Sequence, residues 1–321
     1  MPGERSDRLF WGISAALTAL TAVGACLVAR VTPSASPPAA AGSATGQEDA
    51  PRAPRTSFSA WARRRRAQVF AQVQGDEAFT RLGEPAPGDW LWHFREPGQT
   101  LEEYGFQAVN RKTSERSTLH LQPFTDLSLV QLGVVEPMRD HTAIFFDSET
   151  VLLPPRRPER SWLNEWRGQY NADRIVSRLA RQVPPGSLGL FGLMGSDLYG
   201  LELNFVFGEA LLEQRAGIYS VHRFGRQREA LLRRALKLSA HEIGHLFGMQ
   251  HCVFYDCVMN GTNSLVETDR RPLHLCPVCL AKLHWNLRFD PAKRYRALAA
   301  FYREQGLLPE ARFAEARAAE H

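Results

Sequence analysis

His241-Glu242-Ile243-Gly244-His245-Leu246-Phe247-Gly248-Met249-Gln250-His251 is the stretch from which the rest of the chain is best read. It closes a helix predicted over Arg226 to Met249, whose apolar face carries Leu231, Leu232, Ala235, Leu236 and Leu238. Histidines four apart lie one turn apart on one helical face, so His241 and His245 can reach a single ion. Glu242 adjoins the first of them, close enough to handle the proton of a water held there. Gly248 can leave the right-handed region without a side-chain penalty, which turns the chain so that His251 approaches from below the helix as a third ligand. Three neutral nitrogens leave a fourth tetrahedral position for water, and zinc lowers the pKa of such a water to about 7.

Four cysteines follow at once: Cys252, four residues, Cys257, eighteen residues, Cys276, two residues, Cys279. This is the spacing of a structural zinc site, in which four thiolates close a tetrahedron and metal binding contributes on the order of 10 kcal/mol to folding. The alternative is two disulfides, which an exported chain would favour. Pro277 and Val278 inside the tight pair fit a metal knuckle better than a strained short-loop bridge. His274 and His284 are substitutes for a cysteine ligand, although each reads more simply as a packing or surface residue.

His241-Glu-x-x-His245-x-x-Gly248-x-x-His251-Cys252-x4-Cys257-x-Met259, ending in Cys276-x-x-Cys279, resembles the archaemetzincin signature, a branch of the metzincin zinc peptidases. The resemblance implies that His241, His245 and His251 bind a catalytic zinc, that Glu242 is the general base and that Met259 is the Met-turn residue beneath the metal. Cys252, Cys257, Cys276 and Cys279 would hold a second, structural zinc, giving two ions per chain. Asp197-Leu198-Tyr199, Asn204 to Gly208, Glu267 to Leu275 and, less specifically, Pro87-Gly88-Asp89-Trp90 resemble animal-type members more than compact archaeal ones. The implied fold is α+β: a metzincin-like mixed sheet packed on the active-site helix, with a C-terminal subdomain built around the four-cysteine zinc site.

Elsewhere the pattern predicts strands over Thr118 to Gln122, Thr150 to Leu153, Leu188 to Leu193, Asn204 to Phe207 and Ile218 to His222. Glu136-Pro137 opens a helix, and Asp173 to Arg181 carries helical spacing until Pro184-Pro185-Gly186 stops it. The zinc metallopeptidase domain is assigned to 57–321, with its folded part running from near Ser57 to about Gln305. Residues 31–56 are rich in Ala, Ser and Pro and read as a disordered linker, because they cannot bury enough surface to offset ordering entropy. Residues 1–30 read as a membrane anchor or an export or lipoprotein signal. No charged residue interrupts Leu9 to Ala29, which as a helix would span about 30 Å, and a lipoprotein signal would acylate Cys26. Arg5 and Arg8 outnumber Arg30 across that run, so the chain is expected to be membrane-associated through residues 9–29 with its bulk extracytoplasmic.

At 321 residues, with 44% hydrophobic and 23% charged residues, the composition is that of an ordinary globular protein and excludes a collagen-like or multi-span membrane chain. The formal charge of +5 is nearly all arginine, since lysine occurs only at 112, 237, 282 and 293. Basic residues clustered with stacking aromatics would mark a nucleic-acid binder. Arg270-Arg271 and Lys282 to Trp285 supply too little, so no nucleic-acid partner is expected. The leading function is zinc-dependent hydrolysis of a peptide or protein substrate by a monomer; the metzincin resemblance implies that the strand Asn204 to Phe207 is an edge that pairs an extended substrate, the alternative being an ordinary core strand. The competing function is an idle, zinc-stabilised metzincin-like binding or scaffold protein.

Overall fold

The computed structural model describes residues 26–29, 67, 69, 77–107, 110–200 and 204–320. Among these the strands are β1 (Cys26–Ala29), β2 (Thr118–Pro123), β3 (Thr150–Leu152), β4 (Leu163–Asn164), β5 (Gln169–Asn171), β6 (Ser187–Met194), β7 (Leu198–Tyr199), β8 (Val206–Leu211) and β9 (Ala216–Ser220). The helices are α1 (Trp90–His93), α2 (Leu101–Phe106), α3 (Leu129–Leu132), α4 (Val135–Phe145), α5 (Ala172–Ala180), α6 (Arg228–Leu246), α7 (Leu265–Arg270), α8 (Pro277–Leu287), α9 (Pro291–Glu304) and α10 (Leu308–Glu320).

The strands form one mixed sheet in the order β3-β2-β6-β9-β8-β7-β5-β4. Strands β3, β2, β6 and β9 run parallel, and β8 is antiparallel to β9. Every residue of β6 is buried, as a central parallel strand covered on both faces requires. Alternation sorts its side chains between two cores. Phe191 and Leu193 join the core under α6 and α4, whereas Leu190 and Met194 pack with Ile175, Val176 and Leu179 of α5. The α+β arrangement with a mixed sheet on the active-site helix is therefore present.

Most of the expected elements lie within two residues of their predicted bounds. The helix predicted to reach Met249 ends three residues earlier, at Leu246, and strand β8 departs further, beginning at Val206 and continuing through Gly208, Glu209 and Ala210 to Leu211. Gly and Glu are poor strand formers, but pairing of Gly208 to Leu211 with Tyr219 to Ala216 of β9 overrides their preference. The folded part also passes Gln305. Gly306, at φ +76°, reverses the chain, and α10 packs back on α9, burying Ala311 and Ala314.

Asp197 ties together the end of the sheet that carries β7 and β5. It accepts from Gln169 Nε2 at 2.8 Å and from Arg223 Nε at 2.7 Å, linking β5, the approach to β7 and the turn after β9.

Membrane association is corrected by the structure. Among the described residues no helix is long and apolar enough to cross a membrane. Cys26–Ala29, the end of the expected span, is not helical but a strand paired parallel to β8, with Cys26 opposite Val206 and Ala29 opposite Ala210. A strand that takes its hydrogen bonds from β8 cannot also finish a lone spanning helix, whose backbone groups must be satisfied within it. The rest of that stretch and the 31–56 linker lie outside the described residues. The same pairing places β1 against β8, the strand that the metzincin resemblance implies as a substrate edge.

Candidate active site

Helix α6 starts at a Gln227 cap, whose side chain accepts from the Ala230 N–H, and ends at Leu246. Its last two turns are buried between the sheet and the chain that follows, so His241, Glu242 and His245 all face inward. Gly248 takes φ +82°, the left-handed conformation expected of it, and the chain returns beneath the helix to bring His251 alongside. One nitrogen from each of the three histidines lies within 4.8 Å of the others.

The ring protons are assigned by backbone carbonyls. His241 Nδ1 donates to the Val258 carbonyl at 2.8 Å, and His245 Nδ1 donates to the Met249 carbonyl at 2.7 Å. Each ring then presents an unprotonated Nε2, and these two lone pairs face one another at 2.9 Å. Two acceptors at that distance repel unless a cation lies against them. Burial, reinforced by neighbouring His251, lowers the His241 pKa to about 3 and holds His245 well below the usual imidazole value. Both are therefore neutral at pH 7, as ligation requires. The third ring bonds through Nδ1 to the Glu96 carboxylate at 2.8 and 3.0 Å, and its Nε2 is buried with no protein partner. The donor set fits a divalent ion of the zinc type.

Neither oxygen of the buried Glu242 carboxylate has a hydrogen-bond partner. Burial first, and the Glu209 carboxylate second, push its pKa well above the ordinary range. Gly208 of β8 makes the room it occupies, since a Cβ there would lie 2.9 Å from the Glu242 carboxyl carbon. Met259 is fully buried, and a side chain at Gly244 would come within 2.5 Å of its sulfur. The thioether thus lies against the helical turn that carries the first two histidines. A narrow recess beside His241 is walled by Phe207, Phe224, Leu238 and Val258.

Cys252, Cys257, Cys276 and Cys279 are buried, unbridged and within 4.8 Å of one another by their sulfurs. Cys252 and Cys276 sulfurs stand 3.6 Å apart, far beyond the ~2.05 Å of a disulfide. The N–H groups of Met259 and Cys276 point at the Cys257 sulfur at 3.4 and 3.3 Å. Cys276 caps α8 and Cys279 sits in its first turn, where the helix dipole favours thiolate. His274 and His284 are outside the cluster: His274 stacks on Phe313 with centroids 3.8 Å apart, and His284 packs edge-on against Phe289.

The two groups of ligands share one loop. Cys252 follows His251 directly, and its N–H donates to the Met259 carbonyl at 2.7 Å. Asn260 closes that loop by accepting from the Cys257 N–H at 2.8 Å and donating to the carbonyls of Cys252 and Tyr255 at 2.7 and 2.9 Å. Sequence reading singled out neither Asn260 nor Glu96. An Asn-Gly pair in sequence signals only a turn, and Glu96 stands in no motif. Pro87 to Trp90 and Glu267 to Leu275, far apart in sequence, meet here: the Trp90 N–H donates to the Glu267 carboxylate at 3.0 Å, and Arg270 pairs with Asp89.

Peptidase family M54 matches residues 157–285. Archaemetzincin-2 of Macaca fascicularis is 31% identical over 258 residues, covering 66% of this chain and 71% of that protein. Archaemetzincin of Archaeoglobus fulgidus is 34% identical over 168 residues, covering 52% of this chain and 99% of that protein. The crystal structure of archaemetzincin from Methanopyrus kandleri, 30% identical, gives a TM-score of 0.49 over 56% of this chain and 99% of its own. The protein is a zinc metallopeptidase of the metzincin type, acting on peptide or protein substrates. The chain belongs to the archaemetzincin family, and the longer mammalian match agrees with its animal-type features.

Proposed function

We propose that this chain hydrolyses peptide bonds at the histidine centre, with His241, His245 and His251 as ligands of a catalytic zinc and Glu242 as general base. Cys252, Cys257, Cys276 and Cys279 hold a second, structural zinc, so that the peptidase domain, assigned to 57–321, carries two ions. The observation that carries this reading is the pair of unprotonated His241 and His245 nitrogens 2.9 Å apart, beside a buried carboxylate whose oxygens have no other partner.

Zinc held by three histidines supplies Lewis acidity, lowering the pKa of water to about 7 and polarising a carbonyl. Glu242 does the proton work. It adjoins His241 on the same turn, takes a proton from the attacking water and returns it to the leaving amine. Burial alone would keep its carboxyl protonated, whereas the positive charge of the loaded centre favours the carboxylate. That opposition suits a group that must both accept and give up a proton. Val258 and Met249 keep the two helix-borne rings in one tautomer and orientation, so no ring must rotate during turnover.

Glu242→Gln keeps the shape of the side chain and removes its basicity. Digestion of a broad peptide library by zinc-loaded protein is expected to fall by about 10²–10⁴-fold in this variant, with zinc content unchanged. Wild-type rates from Glu242→Gln, or no cleavage by fully loaded wild type, would overturn the proposal.

A further inference from the structure

His251 differs from its two fellow ligands in what holds it. The rings of His241 and His245 are oriented by carbonyls of the chain just after α6, but the ring of His251 is oriented by a side chain 155 residues away. That side chain, Glu96, lies outside residues 157–285, to which the family match extends. We propose that Glu96 is a positioning residue of the histidine centre, and that residues 89–107 form a brace whose work is to deliver it.

The brace touches the third-ligand loop at nearly every step. Tyr104 Oη donates to the Phe247 carbonyl at 2.8 Å. Gln99, almost fully buried, donates to the Gly248 carbonyl at 3.1 Å and accepts from the Gln250 N–H at 3.2 Å. Trp90 meets the His251 ring edge-on with centroids 5.1 Å apart, and its backbone is tied down by Glu267. The Phe247 and Gly248 carbonyls and the Gln250 N–H, around the left-handed Gly248, are thus satisfied by side chains of the brace. Without it these buried polar groups would be left unpaired, which is costly.

Glu96 then adds what no carbonyl can, a full negative charge. It faces the Nδ1–H of His251 through both oxygens and is itself largely shielded, at 26% exposure. A carboxylate there fixes the tautomer that leaves Nε2 free, makes that nitrogen a stronger donor and offsets part of the charge of a dication. Outer partners of this type are typically worth 10–100-fold in metal affinity. The histidine centre would therefore bind zinc as a joint product of the family-matching region and the segment before it.

The proposal rests on His251 being a metal ligand, but not on peptide turnover. The test uses the full chain and its Glu96→Gln and Glu96→Ala variants, titrated with zinc against a chromophoric chelator after the cysteine site is filled. Ring N–H protons of the zinc-loaded proteins are followed by NMR. Affinity at the histidine centre is expected to fall by about 10–100-fold in Glu96→Ala and by less in Glu96→Gln, which keeps an acceptor. One strongly deshielded ring N–H signal, that of His251, should disappear in Glu96→Ala and move upfield in Glu96→Gln, while those of His241 and His245 persist. Affinity within twofold of wild type in both variants overturns the proposal, as does loss of all three ring signals together, which would mean general collapse. Should Glu96→Ala not fold, Glu96→Gln alone carries the test. A wild type that binds two zinc ions but cleaves nothing would overturn the peptidase reading and leave this one standing.

Discussion

A methyl group at position 208 would sit 2.9 Å from both the Cγ and the carboxyl carbon of Glu242, well inside van der Waals contact, so the carboxyl would have to move. Displacement of a catalytic group by about 1 Å can cost about 10²-fold in rate. Gly208→Ala is expected to lower kcat by that order while leaving zinc content and the unfolding midpoint close to wild type. Loss of turnover is then separable from loss of metal, because the three atoms nearest a Cβ at position 208 all belong to Glu242. Full activity in Gly208→Ala would show that Glu242 works from somewhere other than its observed seat. That His241, His245 and His251 come together was legible in the sequence, because histidines four apart share one helical face and Gly248 can turn the chain back. Gly208 was not, because a strand glycine announces no partner until the helix is placed over it.

Helices α4 and α9 meet through a polar contact in an apolar interface. His141 of α4 is fully buried, its Nε2 bonded to Tyr302 Oη at 2.9 Å and its ring against Phe145 and Phe301. Burial, with buried Arg294 close by, lowers its pKa to about 3. The unfolded chain binds a proton at this residue below about pH 6.5, and the folded chain does not until about pH 3. The contribution is present in full above pH 6.5 and is lost progressively as pH falls toward 3. His141→Phe should therefore flatten the acid limb of the stability curve by up to ~1.4 kcal/mol per pH unit in that window. Denaturant midpoints at pH 6.5 and pH 4.5 check this, and an equal drop in both proteins would contradict it. Helices α9 and α10 illustrate why this end of the chain was hard to delimit. The sequence after Gln305 is dominated by Ala, Glu and Arg, and Ala311 and Ala314 become core only because Gly306 folds them back on α9. Strand β8 was misplaced for a related reason: its Gly-Glu-Ala segment becomes a strand through pairing with β9, not through its own preference.

At the scale of the molecule, one loop serves both candidate metal centres. Val258 and Met259 lie between Cys257 and Asn260; the first orients His241 and the second packs beneath Gly244. The positive charge is partly internal, since Lys237 and Lys282 are buried. The membrane reading drew on a locally apolar run, and its last four residues joined a sheet that no local pattern could foretell. The central claim is that one chain holds two zinc ions and cleaves peptides only with the one on histidines. It is tested most directly by measuring zinc per chain and peptide cleavage together in wild type and in His245→Ala. Wild type is expected to carry two zinc ions and cleave, and His245→Ala to retain only the cysteine-bound ion and cleave nothing. A His245→Ala protein that still holds two ions, or that cleaves at the wild-type rate, would contradict it.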